Sequence, residues 1–99
     1  MIEKINVSQY SDEINALEKA KIEFENRKGI LNVAIYLGLK GTKEYNNIIK
    51  EYFEYSKIYN QERENFKLNC LDKIVKNNFV GTWIIDFAAK EVTLKDEID

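Results

Sequence analysis

The chain has 99 residues, with 15 basic and 17 acidic side chains and a formal net charge of −2. This length predicts a single domain over 1–99, and the charge balance indicates neither counterion-driven nucleic-acid binding nor a DNA mimic. Histidine and proline are absent and cysteine occurs once, which excludes Ser-His-Asp and Cys-His catalysis, imidazole metal ligands and an internal disulfide.

The N-terminal third predicts a short strand followed by a long helix. Alternation at Ile5-Asn6-Val7 favours the strand. Apolar residues then recur every three or four positions, which predicts a helix over 8–37 with Ser8 or Ser11 as its N-cap. Gly29 lies in the middle of this helix, where glycine costs roughly 1 kcal/mol relative to alanine, and it is interpreted as a bend or a close helix contact.

Two glycines separate this helix from a second one. Gly38 and Gly41 suit a left-handed helix end, and Thr42 suits the cap of the next helix. The near-heptad spacing that follows is typical of a coiled coil and predicts a helix over 42–76, whose continuity the pattern leaves open. The short connection predicts an antiparallel hairpin.

The C-terminal part changes to the period of a strand. The segment 79–94 is rich in aromatic and β-branched residues, with a turn at 88–90, and 95–99 is predicted to be a frayed tail. A two-stranded ribbon is marginal alone, so it must pack on the helices or pair with Ile5-Asn6-Val7. The predicted fold is mainly α: a long antiparallel helical hairpin with a small C-terminal β-hairpin.

The apolar pattern also predicts which side chains form the core and which meet a partner. The predicted structural core is Leu17, Phe24, Leu31, Ile74, Trp83, Ile85 and Phe87. Trp83 is expected to pack the ribbon onto the helices. The candidate interface is a row on the second helix: Tyr45, Tyr52, Tyr55, Tyr59, Arg63 and Phe66. Tyrosine rings in this row favour a helix seam or a protein interface, with base stacking as the alternative.

No catalytic, cofactor-binding or metal-binding residue is predicted. Cys70 lies on the apolar stripe and is expected to be a buried structural thiol. Glu51 and Glu54 share a helix face, so a metal-dependent nucleotide pyrophosphatase stays open as a remote alternative, although such enzymes need a second acidic pair. A solvated charged face is the favoured interpretation. Phosphate-binding glycine motifs are absent.

Apolar residues lie outside the seam, at Ile22, Val33, Ile58 and Leu68 among others. This surplus predicts that another chain covers them, most simply in a two-fold homodimer. No apolar run is long enough for a signal peptide or a membrane span, so the expected location is cytoplasmic. Lysine outnumbers arginine 13 to 2, a bias that indicates a low-GC bacterium or its phage.

Three short stretches carry a resemblance to a known family. They are Asn26-Arg27-Lys28-Gly29-Ile30-Leu31, Glu44-Tyr45 and Trp83-Ile84-Ile85-Asp86-Phe87. In the order of these stretches along the chain, over roughly 12–94, the protein resembles the CXXX-repeat peptide modification-system proteins. These are short clostridial proteins found beside ribosomally made peptides. The resemblance implies an accessory role in peptide maturation, with no catalytic residues to carry over.

The sequence therefore predicts a small non-enzymatic interaction module that binds a larger protein through a helix face or the ribbon. Two settings suit it equally: an accessory factor in peptide modification, or a phage-encoded inhibitor of a bacterial defence system. The alternative is a nucleic-acid or nucleotide-binding helical protein that uses the lysine and tyrosine faces of the second helix.

Overall fold

The computed structural model describes residues 2–74 and 81–96. In chain order the elements are β1 (Ile2–Asn6), a 3-10 turn (Ser8–Tyr10), α1 (Ser11–Tyr36), α2 (Lys43–Phe66), a π-helical segment (Lys67–Leu71), α3 (Asp72–Ile74), β2 (Gly81–Asp86) and β3 (Glu91–Asp96). Two long helices and a small antiparallel sheet confirm the mainly α class with a C-terminal β-hairpin.

The chain folds as two compact units. The hairpin unit is 17–63 and contains most of α1 and α2. The sheet unit combines 1–16 with 64–99, and its described part contains the three strands and the π-helical segment.

The turn of the hairpin unit follows the predicted chemistry. The backbone N–H of Leu39 donates to the carbonyl of Ala34 at 3.0 Å, and that of Gly38 donates to Ile35 at 3.1 Å. With Gly38 at φ 72°, these bonds form a Schellman motif that ends α1. Thr42 then caps α2, because its Oγ1 accepts a hydrogen bond from the N–H of Tyr45 at 3.1 Å. Both predictions for this turn are confirmed.

Gly29 lies inside α1 as expected, but the space around it is open. A Cβ atom built on Gly29 meets nothing within 4 Å outside its own helix backbone. The interpretation of Gly29 as a close contact between the helices of this chain is therefore wrong. No packing requirement within the described chain accounts for a glycine at this position.

The sheet unit has strand order β1-β3-β2, with both pairings antiparallel. Val92 of the central strand pairs with Ile5 on one side and Ile85 on the other. The ribbon thus pairs with the N-terminal strand, which is one of the two alternatives that the sequence left open, although the strand is Ile2–Asn6 and not 5–7. Val7 is buried and donates its N–H to the carbonyl of Lys90 at 2.9 Å.

The central strand also corrects the predicted tail. β3 runs to Asp96, with Lys95 paired to Ile2 and to Thr82. A strand with a partner on each side has its backbone groups satisfied along its length, so it does not fray where a two-stranded ribbon would. Residues 97–99, and the predicted ribbon start at 79–80, lie outside the described residues.

The second long helix changes its hydrogen-bonding pattern before its end. After Phe66 the chain forms the π-helical segment, and only three α-helical residues follow it before the described part stops at Ile74. Cys70 and Leu71, at the end of this segment, are both buried. The continuity of the helix over 42–76, which the sequence left open, is thus interrupted at Lys67–Leu71, and 75–76 lie outside the described residues.

The core of the sheet unit brings β2 onto the end of α2. Trp83 is 8% exposed, and its ring stacks on that of Phe66 with centroids 5.5 Å apart. The predicted role of Trp83 in packing the ribbon onto a helix is confirmed. Among the other predicted core residues, Leu17 is buried, and the rest are partly buried: Phe24, Leu31, Ile74, Ile85 and Phe87.

Candidate functional site

The tyrosine row forms the inner seam of the hairpin unit. The ring of Phe24 on α1 lies 5.4 Å from that of Tyr52 and 5.5 Å from that of Tyr59, measured between centroids. These tyrosines are partly buried, as are Tyr45 and Tyr55. The rings of Tyr52 and Tyr59 are engaged in contacts between the two helices, which is the helix-seam arrangement that aromatic pairs favour.

An arginine strengthens this seam. The guanidinium of Arg27 lies 4.4 Å from the ring centroid of Tyr55, and its Nη donates a long hydrogen bond of 3.4 Å to the tyrosine hydroxyl. Its Nε lies 3.2 Å from Oε2 of Glu51, an ion pair without hydrogen-bond alignment. Glu51 is thus engaged by a cation on the facing helix. Sequence reasoning missed Arg27, because a contact between two helices leaves no periodic signal in either.

The two remaining interface candidates lie elsewhere along α2. The Arg63 guanidinium is 5.9 Å from the ring centroid of Tyr59. Phe66 belongs to the sheet unit and is buried under Trp83. Since its ring is already covered within the protein, Phe66 is not available to a partner and its assignment to the interface is corrected.

Phe53 and Ile58 are exposed on α2, while the largest run of exposed apolar side chains in the hairpin unit lies on another face of α1. We call this the outer face; its residues are Ile22, Gly29, Ile30, Val33, Tyr36 and Leu37. Ile22 is 51% exposed, Val33 57%, Leu37 62% and Tyr36 88%. Spacings of three, four and seven residues keep these positions on one side of the helix. The surplus apolar residues Ile22 and Val33 are therefore exposed, as their position outside the seam suggested.

Part of the outer face is concave. An open groove of about 520 Å³ is lined by Glu25, Asn26, Gly29, Ile30, Val33, Ala34, Leu37, Leu39 and Ile48. The Schellman motif places Leu39 beside Ala34 at one end of the groove. Gly29 lines the groove beside Val33, and the space that a Cβ of Gly29 would occupy is open. The lining is apolar except at Glu25 and Asn26.

The sheet offers much less apolar surface on its exposed side. Ile84 is 72% exposed, with exposed Thr82 and Asp86 beside it on β2. Across the strands, Thr93 of β3 is paired with Ile84 on one side and with Lys4 on the other. The Lys4 Nζ lies 3.9 Å from Oε1 of Glu91. A single apolar side chain among polar and charged neighbours is an ordinary solvated sheet face.

The thiol of Cys70 and the carboxylates are the groups that sequence reasoning considered for chemistry. Cys70 is buried, and this burial raises the pKa of its thiol; the charge of Glu13 adds to the effect and Lys73 opposes it. A protonated buried thiol is a poor nucleophile. Within 2–74 and 81–96, no three Cys, Asp or Glu side chains come together as a metal site. No helix in the described part of the chain is long and apolar enough to cross a membrane.

Comparisons of this chain with protein-family models, with curated proteins and with solved structures find no match.

Proposed function

We propose that this chain is a small non-enzymatic protein-interaction module and that the outer face of α1 is its binding surface. The observation that carries the proposal is a second apolar face on a helix that already packs its first face in the seam. A surface helix needs one apolar stripe to pack on its own protein and is normally polar on the opposite side. Contiguous exposed apolar surface marks an interaction site.

The helix face has more support than the ribbon. Five large side chains of the outer face are exposed on the C-terminal part of α1 and directly after its end: Ile22, Ile30, Val33, Tyr36 and Leu37. On the described sheet surface, Ile84 lies among charged and hydroxyl side chains. The contact area that association needs is thus concentrated on α1.

The shape of the outer face suits an amphipathic helix. Such ligands bind with apolar residues at helical spacing in an apolar groove, and the groove from Glu25 to Leu39 has that character. A larger protein that presents such a helix fits the two settings equally: an accessory factor in peptide modification, as the resemblance implies, or a phage-encoded inhibitor of a defence system. The genes beside this one would separate these settings, since a peptide-processing operon supports the first and a prophage or defence island the second.

Nucleic-acid binding through the tyrosines has less support. Base stacking needs an accessible ring face, whereas Tyr52 and Tyr59 contact Phe24, and Tyr55 contacts Arg27. Binding by those rings would first require the seam to open.

The test compares the native chain with two matched charge substitutions. Val33→Glu places a carboxylate on the outer face, and Ile84→Glu places one on the sheet, at a similarly exposed position. Each immobilised protein is exposed to extract from a low-GC host, and bound proteins are identified by mass spectrometry. We expect a protein that binds the native chain and Ile84→Glu and is lost with Val33→Glu. Equal binding to all three would contradict the proposal, provided that circular dichroism shows all three folded.

A further inference from the structure

The outer face has the properties needed to pair with itself. We propose that, in the absence of a larger partner, it is covered by the outer face of a second copy, in an antiparallel helix pair centred on Gly29. This inference rests on the proposed function, because it names an occupant of the same surface. A larger protein that uses the outer face then has to displace the second copy.

Two-fold symmetry about Gly29 brings matching side chains to the same level. Positions equally far from Gly29 in opposite directions meet across the pair, so Ile22 of one copy lies level with Tyr36 of the other. Each is about 10 Å from the centre at the usual rise of a helix. The apolar ends of the two outer faces therefore meet each other, as a self-complementary, isologous interface requires.

Gly29 permits a close approach at the centre of this pair. Helix axes pack at about 8–10 Å depending on the side chains at the crossing, and small residues give the short end of this range. Nothing in the described chain occupies the space that a Cβ of Gly29 would fill. A second helix crossing at Gly29 accounts for a glycine that otherwise only weakens α1.

The exposed area is sufficient for a dimer. Each fully exposed aliphatic side chain offers roughly 60–120 Å² and each tyrosine roughly 150–250 Å². At the observed exposures the five large residues offer roughly 300–500 Å² of largely apolar surface per copy. One side of a standard interface buries about 800 Å², of which about 450–500 Å² is apolar. The outer face reaches the lower end of that requirement.

Self-pairing brings no like charges together at the centre. Glu25 is the acidic residue of the groove, and antiparallel pairing separates its two copies by about 12 Å along the axis. That distance exceeds the screening length of about 8 Å at physiological salt. Lys28, the nearest cation, is exposed and lies about 100° around the helix from Gly29, at the margin of the pair.

The first experiment is sedimentation of the full chain from about 1 to 200 µM, in its native form and as Val33→Glu and Ile84→Glu. We expect a concentration-dependent dimer whose dissociation constant rises at least tenfold in Val33→Glu, because two carboxylates then enter an apolar interface. Ile84→Glu should dimerise like the native chain. A mass near 11.7 kDa at every concentration would overturn the self-pairing and leave the proposed function standing.

A crosslink tests where the dimer forms. Gly29→Cys has room for its side chain in the single chain. Its Cβ loosens the crossing as alanine does, but a two-fold axis at this position still brings both sulfurs within disulfide range, so that oxidation traps the pair. Mild oxidation should convert Gly29→Cys into a covalent dimer much faster than Ile84→Cys, while the native Cys70 stays buried. A dimer that survives Val33→Glu and does not crosslink at position 29 would overturn the inference. Failure of the proposed function would give a different result: a larger protein would bind Val33→Glu as well as it binds the native chain.

Discussion

Replacing Gly29 by alanine should strengthen the fold and weaken association. The substitution adds one methyl group in the interior of α1, where nothing lies within 4 Å of its position. Alanine loses less backbone entropy than glycine when a helix forms, and a compatible Gly→Ala change stabilises proteins by about 0.4–1 kcal/mol. For a domain of this size, that free energy raises the melting temperature by roughly 2–8 °C.

The same methyl group should act in the opposite direction on the dimer. Two methyl groups at the helix crossing, one from each copy, increase the closest approach of the axes and loosen the packing around Val33 and Ile22. We expect the dimer dissociation constant to rise several-fold. A change that stabilises the monomer while weakening the pair separates the two roles of the position.

The assay measures both quantities on the same variant. Thermal unfolding by circular dichroism is recorded at a few micromolar, where dimer formation contributes least to the melting temperature, and sedimentation gives the dissociation constant. Asn60→Ala is the matched control, because Asn60 is exposed inside α2 and alanine there also raises helix propensity without touching the outer face. A lower melting temperature for Gly29→Ala would show that the space around the Cβ position of residue 29 is not open. A higher one with unchanged association would refute the crossing at Gly29.

Three further predictions concern the fold of the two units. Trp83→Ala should destabilise the protein by about 3–5 kcal/mol in urea unfolding, since the ring is buried against Phe66; unchanged unfolding would mean that the ring is not packed. Thr42→Ala should cost about 1 kcal/mol by removing the N-cap of α2, whereas Thr42→Ser should retain most of the stability. Cys70 should resist iodoacetamide at pH 8 until the protein unfolds, because burial raises the pKa of its thiol. Below the ordinary thiol pKa the thiol is protonated in both states and the fold keeps its full stability. As the pH rises from that value through the raised pKa, the unfolded chain releases the thiol proton more readily than the folded chain, so the free energy of unfolding falls. Cys70→Ala should therefore flatten this alkaline loss of stability.

Local chemistry made the helices and their turn predictable. Gly38, Gly41 and Thr42 each act on backbone groups within a few residues of themselves, so their roles can be inferred without tertiary contacts. The strand alternation of 81–86 is equally local, and Trp83 and Ile84 lie on opposite sides as predicted. Pairing with the N-terminal strand followed from an energetic requirement, since a short ribbon is unstable alone.

The end of α2 was not predictable in this way. A heptad pattern assumes a constant number of residues per turn, and the π-helical segment at Lys67–Leu71 changes that number. Cys70 and Leu71 are both buried in this segment, and Phe66 lies under Trp83 and not in an interface row. Burial against the sheet unit's own core decides this geometry, and no repeat in α2 alone records it.

The candidate site was predictable in part. Ile22 and Val33 stood out as apolar residues that the seam did not need, and both are exposed. The tyrosines stood out too, because aromatic residues suit both interfaces and seams; only the facing Phe24 and Arg27 show that their rings serve the seam. Composition identifies side chains that are able to form an interface, whereas the packing of α1 against α2 shows which of them remain exposed.

The exposed apolar area of the outer face also bears on how tightly two copies would bind each other. Two copies of the outer face bury roughly 600–1,000 Å² of apolar surface, which reaches only the lower end of the apolar area in standard interfaces, where complexes become weak and short-lived. Such a dimer dissociates readily, because the cost of losing translational and rotational freedom, about 4–15 kcal/mol, offsets much of the burial. A weak self-pairing protects Ile22, Val33 and Leu37 from water and from nonspecific contacts while leaving them accessible. A larger partner that covers Ile48 and Leu39 in the same groove buries more surface than the second copy does. The module would then exchange its own copy for its target at little energetic cost.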